Sequence, residues 1–330
     1  MATPPSQSKR QAAVVFNPIK VDEQQLRETI DTYAAEQGWA PSLWYNTTEE
    51  DTGQGVTKQA VADGAEVVLV AGGDGTVRAV AEGLRDTDVA MAILPSGTGN
   101  LLARNLNLSL GIDDGVAVAF SDNERKIDLG IASITRQNGE EEEHAFLVMA
   151  GLGIDAKMIK NTRSDLKKAV GWLAYIDGTV RSLPELKPVR VKYRLDGAKE
   201  KQAEVHSVMV GNCGVLPGGI LLIPDAQPDD GKLDIVALRP QGAFGWLRVW
   251  NKVAWENGVL RKSKMGRKII DLSKDVKDVT YLKGEDFRLT VSTPQEFQLD
   301  GDEFGEAVAA HAWVDKGGLR IKVPAPEDAA

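Results

Sequence analysis

Cysteine is nearly absent from this chain of 330 residues: one, Cys213, stands beside 39 Lys and Arg and 48 Asp and Glu. A single thiol excludes an intramolecular disulfide and a cysteine-built zinc site, and it fits a reducing cytoplasm. As a small hydrophobe it is expected in a core. The three histidines, His144, His206 and His311, are too scattered for metal-ligand spacing and are expected to be structural or surface groups. Long apolar runs are missing too. Nothing approaches the roughly 18 uninterrupted apolar residues of a spanning helix, and Met1–Gln11 is polar, so neither a membrane span nor a secretory leader is expected. Positive charge is in deficit: a formal net charge of −9 argues against a general nucleic-acid binder, so an anionic partner must find a local basic patch. Two nucleotide signatures are lacking as well, the P-loop with its lysine and the six-residue glycine fingerprint. A P-loop ATPase and a Rossmann dehydrogenase therefore fit poorly.

What remains is an ordinary globular composition, 42% hydrophobic and 26% charged, in a chain long enough for two domains. The first third alternates apolar runs with amphipathic stretches, the pattern of a parallel sheet covered by helices. Strands are expected at Ala12–Phe16, Ser42–Tyr45, Glu66–Ala71 and Val89–Leu94, and helices at Asp22–Glu36, Gly55–Asp63, Val77–Leu84 and Leu101–Leu106. From about Lys126 short strand candidates follow one another: Ile127–Ile134, Ala145–Ala150, Val189–Arg194, Val205–Val210, Leu233–Leu238, Phe287–Val291 and Leu319–Val323. That texture predicts a mainly antiparallel second domain. The boundaries read as 11–125 and 126–323, with flexible termini at 1–10 and 324–330.

The strand at Glu66–Ala71 runs straight into Gly72-Gly73-Asp74-Gly75-Thr76. Glycines at the carboxyl end of a buried strand let backbone N–H groups approach phosphate oxygens, and Thr76 is expected to cap the helix that follows. A second such stop, Leu94-Pro95-Ser96-Gly97-Thr98-Gly99-Asn100, ends the next strand, Asn17-Pro18 ends the first, and Gln298-Leu299-Asp300-Gly301-Asp302 lies far downstream. All four offer backbone donors or short polar side chains of the kind that bind nucleotide oxygens. A carboxylate at Asp74, beside phosphate, must hold a metal, orient a donor or take a proton.

At these residues the chain resembles the diacylglycerol kinase catalytic-domain family, which includes bacterial lipid kinases, sphingosine kinases and ceramide kinases. The likeness continues through Gly151-Leu152-Gly153-Ile154-Asp155 and Pro224–Asp234 to Asp300-Gly301-Asp302, covering about 11–323. It implies an N-terminal α/β nucleotide domain, like that of NAD kinases and phosphofructokinases, followed by a β-sandwich domain, with ATP and Mg²⁺ as cofactors. Asn17, Pro18, Ile19, Lys20 and Val21 would form the first nucleotide loop, where the family's usual Asn-Pro-x-Ser-Gly is altered and Lys20 could supply charge. Thr48, with Thr47 as its rival, would lie near the nucleotide. Gly72, Gly73, Asp74, Gly75, Thr76, Val77, Arg78 and Ala79 would wrap the phosphates and ribose side, and Thr98 would add a hydroxyl. Asp300 would accept the proton of the attacking alcohol, with Asp74 as rival base or magnesium organiser. Asp302, where the family usually has Glu, would support nucleotide binding. In Asp229-Asp230-Gly231, Asp230 would give a carboxylate, and Gln227 and Lys232 backbone carbonyls, to a structural magnesium.

The function so implied is an ATP-dependent lipid kinase acting on diacylglycerol or a related lipid at an anionic membrane surface. It would be cytoplasmic and peripheral to the inner face of the membrane, with no nucleic-acid partner, and could act as a homodimer. Trp246, Trp250, Val253 and Trp255 among Arg248, Lys252, Arg261, Lys262, Lys264, Arg267 and Lys268 form the most membrane-like stretch, and Lys157–Trp172 is a second basic one. Two alternatives stay open: an NAD kinase, which shares the glycine pentad, and a catalytically silent nucleotide- or lipid-binding module.

Overall fold

The computed structural model describes residues 9–152, 188–216, 220–240, 245 and 278–325. The basic stretches 157–172 and 246–268 and the Gly153–Asp155 part of the glycine motif fall outside them. The chain divides into two compact units, 1–127 with 317–330, and 128–316.

The first unit begins β1 (Ala12–Phe16), α1 (Glu23–Glu36), β2 (Leu43–Asn46), α2 (Gln54–Ala62), β3 (Val67–Gly72), α3 (Asp74–Leu84) and β4 (Ala90–Pro95). Two shorter helices, α4 (Leu101–Asn105) and α5 (Ile112–Ala119), follow before β5 (Glu124–Thr135), which continues into the second unit beyond Ile127. The strands β2, β1, β3 and β4 pair in that order, all parallel. Every residue of β1, β3 and β4 is buried, the continuous apolar reading of strands covered on both faces. Val14, Leu69 and Ala92 meet Leu26 and Ile30 of α1 and Val116 of α5 in one core. Asp22 caps α1 by accepting from the Gln25 N–H at 3.1 Å, so the helix begins one residue after the position read from the sequence.

The second unit holds the rest of β5, then β6 (Glu141–Phe146), β7 (Met149–Leu152), β8 (Val189–Leu195), β9 (Lys201–Val205), β10 (Ser207–Gly211), β11 (Val215–Leu216), β12 (Ile220–Leu221), β13 (Leu233–Leu238), β14 (Val279–Gly284), β15 (Asp286–Leu299) and β16 (Asp302–Lys322). Antiparallel pairing runs β14-β13-β10-β7-β15-β16, with β8 also on β15 and β9 on β8. Phe146, Val208, Ile235, Phe287, Leu289 and Phe297 anchor a second core. The mixed architecture is thus a parallel-sheet N-terminal part and an antiparallel sandwich.

Two sequence expectations are corrected. The helix after the glycine pentad starts at Asp74 with Gly73 as N-cap, and Thr76 is buried inside it instead of capping it. The strand expected over Ala145–Ala150 is broken after Phe146 and resumes at Met149, because the Leu147–Met149 N–H groups turn toward the Asp300 carboxylate. The expected strand Leu319–Val323 is the end of β16, which groups with the first unit from Gly317 onward, and Ile321 pairs in parallel with Met91 of β4.

Candidate functional site

In the first unit the two glycine-rich turns are in contact. The position that a Gly97 Cβ would take lies 2.8 Å from the Gly73 Cα, so only a residue without Cβ lets the backbones approach this closely. Asp74 fastens the arrangement: its Oδ1 accepts the Leu101 N–H at 2.6 Å, at the start of α4. The Asn100 Oδ1 accepts the Gly97 N–H at 3.0 Å, and Arg104 Nε donates to the Gly99 carbonyl at 2.8 Å. At the start of α3 no side chain supplies a cap, and the space in front of Gly73 is open, so that a Cβ there would meet nothing within 4 Å. Uncapped first-turn donors carry the positive end of the helix dipole. Thr98 is exposed on the neighbouring turn.

The remaining predicted nucleotide residues fall into two groups. Asn17 turns the chain at the end of β1, its Oδ1 accepting the Ile19 N–H at 3.0 Å and its carbonyl the Lys20 N–H at 2.9 Å. Pro18, Ile19 and Lys20 are exposed, Ile19 to 87%. Val21, the departure from the family pattern, is half-buried against the first core. It has no positive φ, so this turn makes no demand for glycine there. Thr48 is exposed and its hydroxyl accepts the Asp51 N–H at 3.1 Å, whereas Thr47 is buried. Asp51 in turn accepts from the Gly53, Gly55 and Val56 N–H groups, building the start of α2. Thr76, Val77, Arg78 and Ala79 lie buried along α3, with the Val77 N–H already given to the Gly73 carbonyl. Arg78 pairs with Glu82 one turn on, at 3.7 Å.

In the second unit Asp300 sits in the β15–β16 hairpin, with φ of +50° followed by Gly301 at +94°. Positive φ at both central residues is the demand of a type I′ turn, which Asp-Gly meets. The carboxylate is 7% exposed. Its Oδ2 accepts the Leu147 N–H at 2.8 Å, and its Oδ1 accepts Val148 and Met149 at 2.8 and 2.9 Å. The Asp300 N–H returns to the Met149 carbonyl at 2.8 Å. Asp302, the last predicted neighbour, is exposed beyond the turn.

Two residues that the sequence reading missed extend this network. Asn212, 1% exposed, donates through Nδ2 to the Leu147 carbonyl at 3.1 Å and the Asp128 carbonyl at 2.9 Å. Asp128 accepts the Gly231 N–H through Oδ2 at 2.7 Å and gives its own N–H to the Pro228 carbonyl at 2.6 Å. The signal available for Asp128 was a lone carboxylate inside the apolar run Ile127–Ile134. A buried charge of that kind persists where it is hydrogen-bonded.

In the Gln227–Lys232 loop, to which the resemblance assigns a metal, Lys283 approaches the carboxylates. Lys283 Nζ lies 2.7 Å from Asp230 Oδ2 and 3.1 Å from Asp234 Oδ2, and it donates to the Asp225 carbonyl at 3.3 Å. Asp230 Oδ1 accepts the Lys232 N–H at 3.1 Å. Burial raises the Asp234 carboxyl above its ordinary value, and Lys283 offsets that in part. Burial by itself would lower the Lys283 ammonium, yet the nearby carboxylates of Asp230 and Asp234 outweigh this and hold it above the ordinary value. The asymmetry follows from numbers: one ammonium faces two carboxylates, while Asp234 faces one ammonium and also the charges of Asp230 and Asp225. Among the described residues no group of three His, Cys, Asp or Glu side chains could hold a metal ion, and no helix is long and apolar enough to cross a membrane.

Comparison with known proteins accounts for both parts of the chain. The diacylglycerol kinase catalytic domain matches residues 11–132, and the YegS C-terminal NAD kinase beta sandwich-like domain matches residues 148–321. A Pseudomonas putida protein named “Probable lipid kinase YegS-like” is 31% identical over 242 residues, 72% of this chain and 78% of that one. A diacylglycerol kinase of Bacillus subtilis is 26% identical over 302 residues, 90% of this chain and 91% of its own. In fold, the chain is similar to a crystal structure of a diacylglycerol kinase from Bacillus anthracis str. Sterne, with a TM-score of 0.64 at 20% identity, covering 98% of this chain and 99% of that one. With both domain types matched in order and a relative of this identity along most of the chain, the protein belongs to the family of diacylglycerol kinase-like lipid kinases.

Proposed function

We propose that this lipid kinase transfers the γ-phosphoryl group of ATP to a hydroxyl of diacylglycerol or a related lipid. The observation that carries the reading is the pair of glycine turns packed together at the uncapped start of α3. Backbone N–H groups with no Cβ before them suit phosphate oxygens, and a helix start favours negative charge. In this reading Asn17–Val21, Thr48 and Thr98 border the nucleotide, and Asp74 keeps the two turns in register through the Leu101 N–H. Asp74 is the carboxylate that would hold a divalent cation bound with the triphosphate, which would supply neutralisation of phosphate charge. The lipid oxygen forms its bond to the γ-phosphorus as the bond to the leaving ADP oxygen breaks, and the hydroxyl proton passes to the Asp300 carboxylate. Asp302 is assigned to nucleotide support beside it.

A second reading of Asp300 is favoured by its three N–H bonds. A carboxylate presents about four lone-pair directions, and three are filled by the Leu147–Met149 backbone. Asp300 then acts as a positioning residue that shapes this turn.

The function is tested by incubating the protein with γ-labelled ATP and a bacterial lipid extract and identifying the labelled product. Label in a phosphorylated lipid supports the proposal. ATP bound without transfer across a panel of lipids would make the chain a silent module, and ATP consumption stimulated by NAD with no lipid present would make it an NAD kinase. Sedimentation with anionic and neutral liposomes tests the peripheral membrane role assigned to the Trp246–Lys268 sequence. Equal binding to both, insensitive to salt, would remove it.

A further inference from the structure

We infer that Lys283 is the resident cation of the Gln227–Lys232 loop, and that this loop holds its shape without a bound divalent metal. The resemblance assigned to this loop an ion held by the Asp230 carboxylate and two backbone carbonyls. Such an ion would have to order a turn that carries several acidic side chains. Both tasks are already performed by this chain's own residues.

Charge is met by the ammonium. Lys283 on β14 reaches Asp230 Oδ2 at 2.7 Å, Asp234 Oδ2 at 3.1 Å and the Asp225 carbonyl at 3.3 Å, so three oxygens from the loop and the strand after it surround one nitrogen. The register of β13 against β14 fixes this meeting, because Asp234 and Lys283 are directly opposed. These separations suit an N–H donor. A magnesium ion would draw oxygens to roughly 2.1 Å and calcium to about 2.4 Å. Both oxygens of Asp230 already have a partner, since Oδ1 takes the Lys232 N–H and Oδ2 faces the Lys283 ammonium, so a metal would have to compete with each.

Shape is met by Asp128. From β5 it grips the loop at two points, accepting the Gly231 N–H through its carboxylate and giving its own N–H to the Pro228 carbonyl. Gly231 takes a φ of +71° between these anchors, the left-handed step that the turn needs. Fixed by Asp128 and bridged by Lys283, the loop offers a divalent ion a site whose key carboxylate already faces a cation. On the proposed kinase reading, a divalent ion is then needed with the nucleotide and not in this loop.

The test is thermal unfolding without nucleotide, in EDTA, in MgCl₂ and in CaCl₂. A metal bound at a hundredfold its Kd would raise the Tm by roughly 5–10 °C. For the wild-type chain the expected result is the same Tm in all three buffers. Lys283→Met, which leaves two carboxylates facing each other, is expected to melt lower than wild type in EDTA and to recover when either salt is added. A wild-type Tm raised by MgCl₂ or CaCl₂, with the rise abolished in Asp230→Asn, would overturn the inference, as would a Lys283→Met protein that melts like the wild type. If Lys283→Met does not fold, the wild-type comparison alone decides, and Lys283→Gln repeats the variant arm with a polar side chain.

Discussion

Asp300 concentrates two demands on one carboxylate. It must keep the Leu147–Met149 turn closed and, in the proposed mechanism, take a proton from a lipid hydroxyl. Asp300→Asn tests both, because the amide keeps the shape but offers one acceptor oxygen for three N–H groups. At least one buried donor then loses its partner, a cost of about 1–3 kcal/mol, measurable by urea unfolding. As the base it should also abolish phosphoryl transfer while leaving ATP binding largely intact. Substantial turnover in a folded Asp300→Asn protein would leave the residue a positioning role alone. Tyr45 offers a second measurement at the residue scale. Its hydroxyl donates to Asp63 Oδ2 at 2.6 Å, and burial first, then this bond and the Asp63 charge, push the phenol up to about 12. A raised folded value means that the contribution of this tyrosine to stability is fully present below its unfolded value of about 10 and is lost as pH rises through about 12. Alkaline absorbance titration should find one phenol at that position, moved partway back toward 10 in Asp63→Asn. Phenols that all titrate together near the ordinary value would refute the assignment.

At the scale of elements, the contact between the turn after β3 and the turn after β4 is the feature on which nucleotide binding is proposed to rest. Gly97→Ala would bring a methyl to 2.8 Å from the Gly73 Cα, a collision with backbone that no rotamer relieves. The two turns must separate, at about 1–3 kcal/mol for overpacking. Binding of ATP, followed by calorimetry, should weaken by more than tenfold while the folded core persists; unchanged ATP affinity would detach the turn pair from the nucleotide. Much of this was legible beforehand. Apolar runs stopped by glycine located β3 and β4, since strands buried on both faces leave no other reading. The contact between their turns was not, because the neighbour that a missing Cβ admits is not written in the local sequence. The same limit hid the break between β6 and β7. The run Ala145–Ala150 is apolar throughout, and what ends the strand is a carboxylate about 150 residues later. Helix α5 had no counterpart among the expected elements: Gly111, Asp113, Asp114 and Gly115 are residue types common in turns, although the two carboxylates stand in its first turn and favour its dipole. In the Asp229–Lys232 loop the acidic residues were visible, but the cation that answers them comes from β14, some fifty positions away, and is matched to Asp234 by strand register.

For the whole molecule, the path of the chain has a consequence for how its units can stand alone. The first unit is not a continuous segment: residues 1–127 are completed by 317–330. Within that returning piece Leu319 and Ile321 are buried, and Ile321 pairs with Met91 along the open side of β4. Lys322, 1% exposed, gives its ammonium to the Ser121 carbonyl at 2.7 Å and pairs with Glu124 at 2.9 Å. A buried lysine is tolerated because both partners are supplied locally, and it ties the end of β16 to the segment after α5. Removing residues 317–330 would therefore take away two core side chains at about 1.5–3 kcal/mol each, and would bare the edge of a fully buried strand to other chains. That loss is a large part of the roughly 5–15 kcal/mol that holds a typical protein folded. A protein ending at Lys316 should show accelerated hydrogen exchange across β1, β3 and β4 while β10 and β13 of the second unit keep their protection, and it should aggregate at lower denaturant than the full chain. Lys322→Met in the full-length protein separates the two contributions, because it preserves strand pairing and removes the charge. If the truncated protein instead retains protection across β1, β3 and β4, the N-terminal sheet is complete without its returning strand, and the second crossing of the chain serves the sandwich alone.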